Sequence, residues 1–294
     1  MGRMQRALAI MVTAASVTLA GCGVWLGQLR PPEAVETVTF TPPDWPAALQ
    51  ADVHRPQGEG LFPGMLLVHG GGWEGRSRDD MNRLARYYVG RGYLVMNISY
   101  RFAPDATFPA QVHDVQQAMH WLHGEAQRLQ LDTGRIAAFG YSAGAHLVSL
   151  MALAAGTGSD LDRPWGGALT RPAAVIAGGA PTDLRKFTGG RLVPQFLGGR
   201  INEIPETFAA ASPVTRVHPG APPFLLFHGT RDTLVPIDHS EDFAAALAGE
   251  EVPVTLERQP WRGHILTFLT VGSVLPEVND FLAESLGSAG HVAR

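Results

Sequence analysis

The chain has 294 residues, of which 45% are hydrophobic and 17% charged, with a formal net charge of -4. That length and apolar content suit one large α/β domain better than two small ones. The acidic balance, with no basic stripe interleaved with aromatics, argues against nucleic acid as a partner. A single cysteine, Cys22, rules out an intramolecular disulfide.

The first elements belong to export rather than to a fold. Arg3 and Arg6 precede a short apolar run, "ALAIMVTAASVTLA", and small residues lead into Cys22. A basic start, a short apolar segment and small residues at the cut site describe a secretory signal over 1–21, too short for a membrane span. The stretch "LAGC" also resembles the bacterial lipoprotein box. That resemblance implies a lipidated Cys22 as mature N-terminus, a tether over 22–34, and a membrane-attached protein in the cell envelope.

From residue 35 a single domain is expected to run to residue 294. "VETVTF" and "ALQADVHRP" read as an antiparallel strand pair at one edge of a sheet. "GMLLVHG" and "YLVMNISY" are short buried strands flanking an amphipathic helix, "RDDMNRLARYYVGRG". "FPAQVHDVQQAMHWLHGEAQRLQ" reads as one long helix with Val112, Val115, Met119 and Leu122 on a common face. "RIAAFG", "AAVIAGG" and "PFLLFHG" are further buried strands, followed by the helix "SEDFAAALAG" and the last strand "VPVTLERQ". The closing helix, "TVGSVLPEVNDFLAESL", is expected to kink at Pro276. Apolar strands alternating with helices predict a mostly parallel sheet covered on both faces. Residues 182–222 break this rhythm without a clear periodic helix, as a lid or pocket wall would.

Ligands of such sheets bind beyond the carboxyl ends of the strands, and four sequence features fall there. Ser142 sits in "GYSAG" between a buried strand and a helix, where a tight turn forces its hydroxyl outward. "HGGGW", His69 to Trp73, follows another strand; its glycines let backbone N–H groups approach a ligand. Gly71 and Gly72, completed by Ala143, are read as an oxyanion hole. Asp232 in "FHGTRDTLVP" and His264 in "RQPWRGH" follow later strands, in the order Ser, Asp, His. Asp183 is the rival acid. His228 precedes the acid and is set aside as a base, and His146, His113, His120 and His123 lie on helices, read as packed or solvated. No cluster has metal-ligand spacing, so neither a metal nor another cofactor is expected.

The motifs "HGGGW", "SYRFAPDATFPAQVHDVQQAMHWL", "GYSAGAHL" and "HGTRDTLVP" together resemble the α/β-hydrolase fold. Within it the chain is similar to carboxylesterases of the hormone-sensitive-lipase-like and acetyl-xylan or feruloyl esterase-like group, and to kynurenine formamidases. The resemblance implies a serine esterase acting on small esters, with Arg101 and Asp114 as structural supports. An arylformamidase is the alternative within enzymology, and a non-catalytic binding protein on the same fold the alternative outside it. Two departures matter: the N-terminus is too short for a helical cap, and the elbow has Tyr141 where the capped branch has aspartate. Both favour a smaller esterase with a short acyl pocket. Trp73, Phe187 and Phe196 are candidate substrate walls; the segment carrying the two phenylalanines is equally compatible with a loop packing its own small core. The oligomeric state is not readable.

Overall fold

The computed structural model describes residues 35–287. The signal, the tether and Cys22 lie outside the described residues. Eight strands form one sheet in the order β1-β2-β4-β3-β5-β6-β7-β8: β1 Val35–Thr39, β2 Gln50–His54, β3 Phe62–Val68, β4 Leu94–Ile98, β5 Leu131–Tyr141, β6 Ala174–Gly178, β7 Phe224–Gly229 and β8 Val254–Gln259. β1 pairs antiparallel with β2, as expected, and β2 is also antiparallel to β4; the remaining pairs are parallel. The helices are α1 Asn82–Val89, α2 Ala110–Gly124, α3 Ala126–Leu129, α4 Ala143–Ala154, α5 Leu192–Leu197, α6 Pro205–Ala210, α7 Asp238–Gly249, α8 His264–Leu269 and α9 Leu275–Leu286.

The parallel strands β3 to β7 are mostly apolar because both of their faces are covered. Successive residues of β3 alternate between two cores: Leu66 and Val68 pack with α2, α4 and α7, while Met65 and Leu67 pack with α1 and α9. β8, the far edge, is only partly buried along its length. The sheet therefore presents the ends of β3, β5, β7 and β8 on one rim, and those ends carry the sequence features identified above.

Three elements differ from expectation. The long helix breaks at Glu125, which leaves helical geometry at φ -95° and ψ 4°, so α2 and α3 are separate. Pro276 lies in the first turn of α9 rather than at a kink. A proline there loses no intrahelical bond, since the first N–H groups have no partner anyway. The interval 182–222 holds two short helices, α5 and α6, and 3-10 turns at Leu184–Lys186 and Pro213–Arg216. Six-residue helices are too short to show a period, and this segment is held by burial of Leu184, Val193, Phe196, Leu197 and Phe208 in the main core. It packs onto the domain, not onto itself.

Candidate active site

The turn from β5 into α4 is sharp because two glycines allow backbone to touch backbone. A Cβ on Gly140 would lie 2.4 Å from the carbonyl of Gly144, and one on Gly144 would lie 2.1 Å from the oxygen of Val68. Ser142 at the apex adopts φ 54° and ψ -121°, a conformation a serine holds only when its surroundings impose it. The Ser142 N–H donates to the Gly178 carbonyl at 2.7 Å, tying the apex to β6.

His264, the first residue of α8, brings its Nε2 to 2.8 Å from Ser142 Oγ. Its Nδ1 lies 2.5 Å from Asp232 Oδ2. The other carboxylate oxygen of Asp232 accepts the N–H groups of Leu234 and Val235, both at 2.9 Å. Burial alone would raise the pKa of Asp232; hydrogen bonds from His228 and His264, with the Val235 N–H, outweigh it and hold the carboxyl well below the usual range. Ser142, His264 and Asp232 thus meet in one chain of hydrogen bonds. Asp183 does not join them: its carboxylate is held by the Arg185 guanidinium at 2.8 Å and caps a 3-10 turn.

The loop after β3 turns through positive φ at Gly71 (118°), Gly72 (62°) and Trp73 (59°). The hydroxyl of Tyr100 donates to the His69 carbonyl at 3.1 Å, and the His69 ring stacks on Tyr100 at 4.5 Å. Ala143 is the first residue of α4, so its N–H has no acceptor within the helix. These are the N–H groups singled out in the sequence, on the loop after β3 and at the start of α4.

The expected aromatic walls are placed differently. Trp73 and Phe196 are almost wholly buried and stack on each other at 4.4 Å, with an interplanar angle of 13°. Trp73 Nε1 donates to His146 Nδ1 at 3.3 Å, and His146 Nε2 donates to the Ala211 carbonyl at 2.7 Å. Large flat rings gain more from burial against each other than from lining a wet cleft, so these two join the core. Phe187, half-buried, stacks on His239 at 4.9 Å, towards α7. Leu192 is the exposed apolar residue of α5, and a Cβ built on Gly72 would lie 3.0 Å from it. The segment is clamped there by Glu74, which takes two bonds from Arg191, at 2.6 and 2.7 Å, and one from Gln195 at 2.8 Å.

The roles of two buried groups escaped the sequence reading. His228 Nε2 lies 3.3 Å from Asp232 Oδ2 and 2.8 Å from the Val235 carbonyl, while Nδ1 faces the Ser240 hydroxyl at 2.7 Å. It is not a second base but a support behind the acid, foreshadowed by its place at the end of β7. The Tyr141 hydroxyl donates to the His264 carbonyl at 2.5 Å. Nothing local announces a contact between residues 123 positions apart. The Arg101 guanidinium pairs with the buried Asp114 carboxylate at 2.7 Å, and Trp45 Nε1 donates to the same carboxylate. Among the described residues no His, Cys, Asp or Glu cluster is arranged to hold a metal ion.

The BD-FAE family model matches residues 51–247, more than half of the chain. The chain belongs to the BD-FAE family. As a BD-FAE protein it is 32% identical to Esterase LipC of Mycobacterium tuberculosis over 197 residues, 63% of this chain and 48% of LipC. It is 29% identical to the probable carboxylic ester hydrolase LipM of the same organism over 239 residues, 76% of this chain and 55% of LipM. The chain therefore spans about half the length of these curated relatives. Among solved structures, the thermophilic esterase Est2 of Thermogutta terrifontis superposes with a TM-score of 0.75 at 24% identity, over 90% of this chain and 97% of its own. A truncated carbohydrate esterase from gut microbiota gives 0.75 at 21% identity, over 86% and 96%. This BD-FAE chain has the α/β-hydrolase fold.

Proposed function

We propose that the protein is a serine carboxylic ester hydrolase working through Ser142, His264 and Asp232. One observation carries this reading: Ser142 Oγ, His264 and the Asp232 carboxylate are joined at 2.8 and 2.5 Å, with the serine on a strained elbow at φ 54°. A serine hydroxyl is a weak nucleophile at neutral pH, and His264 Nε2 is placed to take its proton as the oxygen attacks an ester carbonyl. Asp232 fixes the tautomer with the proton on Nδ1 and stabilises the imidazolium. The N–H groups of Gly71, Gly72 and Ala143 receive the developing oxyanion, each such donor contributing about 3 kcal/mol. Collapse expels the alcohol, protonated by His264, and leaves an acyl-enzyme. Water, deprotonated by the same histidine, then releases the acid and frees Ser142. A non-catalytic binder would gain nothing from this alignment or from the strain at Ser142.

The acyl side is short in this reading. Leu192 overhangs Gly72, and Trp73 and Phe196 are packed solid behind it, leaving little depth for a chain. Est2, the fold neighbour, has been described with butyrate and with propionate bound, acids of the size proposed here. Acetyl to butyryl esters should accordingly give higher kcat/KM than dodecanoyl esters. The deciding experiment is hydrolysis of p-nitrophenyl acetate with a serine-directed phosphonate as inhibitor. Loss of activity with a mass adduct on Ser142 supports the mechanism; full activity with an unmodified Ser142 overturns it.

Cys22 as a lipidated N-terminus in a bacterial envelope is proposed from the sequence alone. A diacylglyceryl adduct on Cys22 in the membrane fraction would establish it, and a soluble chain retaining 1–21 would refute it.

A further inference from the structure

Ten large apolar side chains are exposed among the described residues, and six of them surround the site. Leu234 follows Asp232; Trp261, Ile265, Leu266 and Leu269 surround His264 in sequence; Leu192 overhangs Gly72 across the mouth. All six are between 41% and 72% exposed. The loops after β7 and β8 form one surface, since the Trp261 N–H donates to Thr230 Oγ1 and the Arg231 N–H to the Arg262 carbonyl, both at 2.9 Å. On α8, Ile265 and Leu269 are one turn apart with Leu266 beside them, while Thr267 turns inward and is buried. A core-packing role does not account for apolar residues left in water at the rim of a site.

Resting on the ester hydrolase reading, we propose that this rim docks on a lipid surface, so that the enzyme takes amphiphilic esters from an aggregate, acyl group inward and apolar alcohol outward. Two features select this occupant. A protein or a second copy seated on the rim would close the mouth over Ser142, whereas a lipid surface presents an ester to it. The charges also match. Between 229 and 236 and between 260 and 270 the sole acid is Asp232, buried against His264, while Arg231 and Arg262 are cationic. Arg231 lies over the Trp261 ring at 4.3 Å. Tryptophan and arginine bordering an aliphatic helix face are the composition of an interfacial element on anionic headgroups. A lipidated Cys22 permits this pose: 12 residues lie between it and Val35, a maximum reach of about 45 Å over 13 steps. The rim lies at the opposite edge of the sheet, seven strand spacings or roughly 34 Å across, and Val35 sits at the amino end of the strands, a strand length of about 17 Å lower, so the direct span is about 38 Å.

The full chain is compared with a full-length Ile265→Ser/Leu269→Ser variant carrying the same N-terminus. Hydrolysis of tributyrin is followed across its solubility limit, with monomeric p-nitrophenyl acetate as reference. The wild type should accelerate about tenfold or more as droplets form, the effect of seating one or two aliphatic side chains. The variant should keep its p-nitrophenyl acetate rate within about twofold and lose the acceleration. In a second arm, phosphatidylglycerol vesicles with brominated chains should quench the wild type more than Trp261→Phe. No acceleration in the wild type, equal acceleration in the variant, or quenching indifferent to Trp261 overturns the proposal, as does a concentration-dependent dimer that buries the rim. The two readings fail separately: absent p-nitrophenyl acetate hydrolysis counts against the esterase, and quenching blind to Trp261 against the docking.

Discussion

On the oxyanion side of Ser142, Trp73 and Phe196 are 3% and 0% exposed, whereas Trp261, on the histidine side, is 72% exposed. Both sides are rich in large apolar residues, and a hydropathy count would not tell them apart. What separates them is what each side has to pack against. Trp73 has Phe196 at 4.4 Å and His146 at 5.1 Å, supplied by two other segments of chain. Trp261 has Arg231 over one face and solvent beyond. The oxyanion side is a piece of core that reaches the site; the histidine side is an apolar surface left open to solvent.

The sharpest break in the comparison comes from the one residue that neither side can replace. Ser142→Ala should lower ester hydrolysis on the order of a millionfold, with an unchanged melting temperature, because its hydroxyl reacts and packs little. Near-wild-type turnover would detach the site from both walls. Asp232→Asn should cost about ten-thousandfold in kcat, by presenting the wrong tautomer of His264. Asp183→Asn, whose carboxylate serves Arg185, should leave kcat almost unaltered, and the reverse ranking would move the acid to the end of β6.

Stability separates the two tryptophans. Trp73→Ala should lower unfolding free energy by about 3–5 kcal/mol, and Trp261→Ala by under about 0.5 kcal/mol, both measured by denaturant titration. Equal losses would show that the histidine side is also core. A smaller effect than the loss of Trp73 comes with pH. Burial lowers the pKa of His146 to about 4, so the folded protein keeps it neutral while the unfolded chain protonates it near 6.5. The unfolded state binds more protons between those values. The contribution is therefore fully present above about pH 6.5 and is lost as pH falls towards 4. From pH 7 to pH 5 it should be about 2 kcal/mol, and His146→Gln should flatten that part of the profile. A slope unchanged in His146→Gln would place the proton uptake elsewhere.

Much of this arrangement was legible in the sequence because it is local. Strand followed by glycine, serine and glycine, then helix, leaves few backbone paths, and the order of Ser142, Asp232 and His264 along a parallel sheet leaves few assignments. What was not legible depends on partners distant in the chain. Phe196 could be read as a wall because the sequence does not say that Trp73 will lie flat on it. Chain order sets His228 aside as a base, but its support of Asp232 depends on Ser240 and Val235 closing its nitrogens, contacts that no local pattern announces. The short helices α5 and α6 left no period to detect, and Glu125 sits in a run whose composition is helical throughout.

The contact between Gly144 and the Val68 carbonyl has a consequence for how this protein can change. The height of the nucleophile above the oxyanion loop is set there by main chain resting on main chain, with no side chain between to be trimmed or repacked. Even one methyl group at position 144 has nowhere to go. Adaptation to new esters must therefore proceed around the elbow rather than through it. The freedom lies in the solvent-facing residues of α5, α8 and the loop after β7, which can be exchanged without moving the reacting atoms.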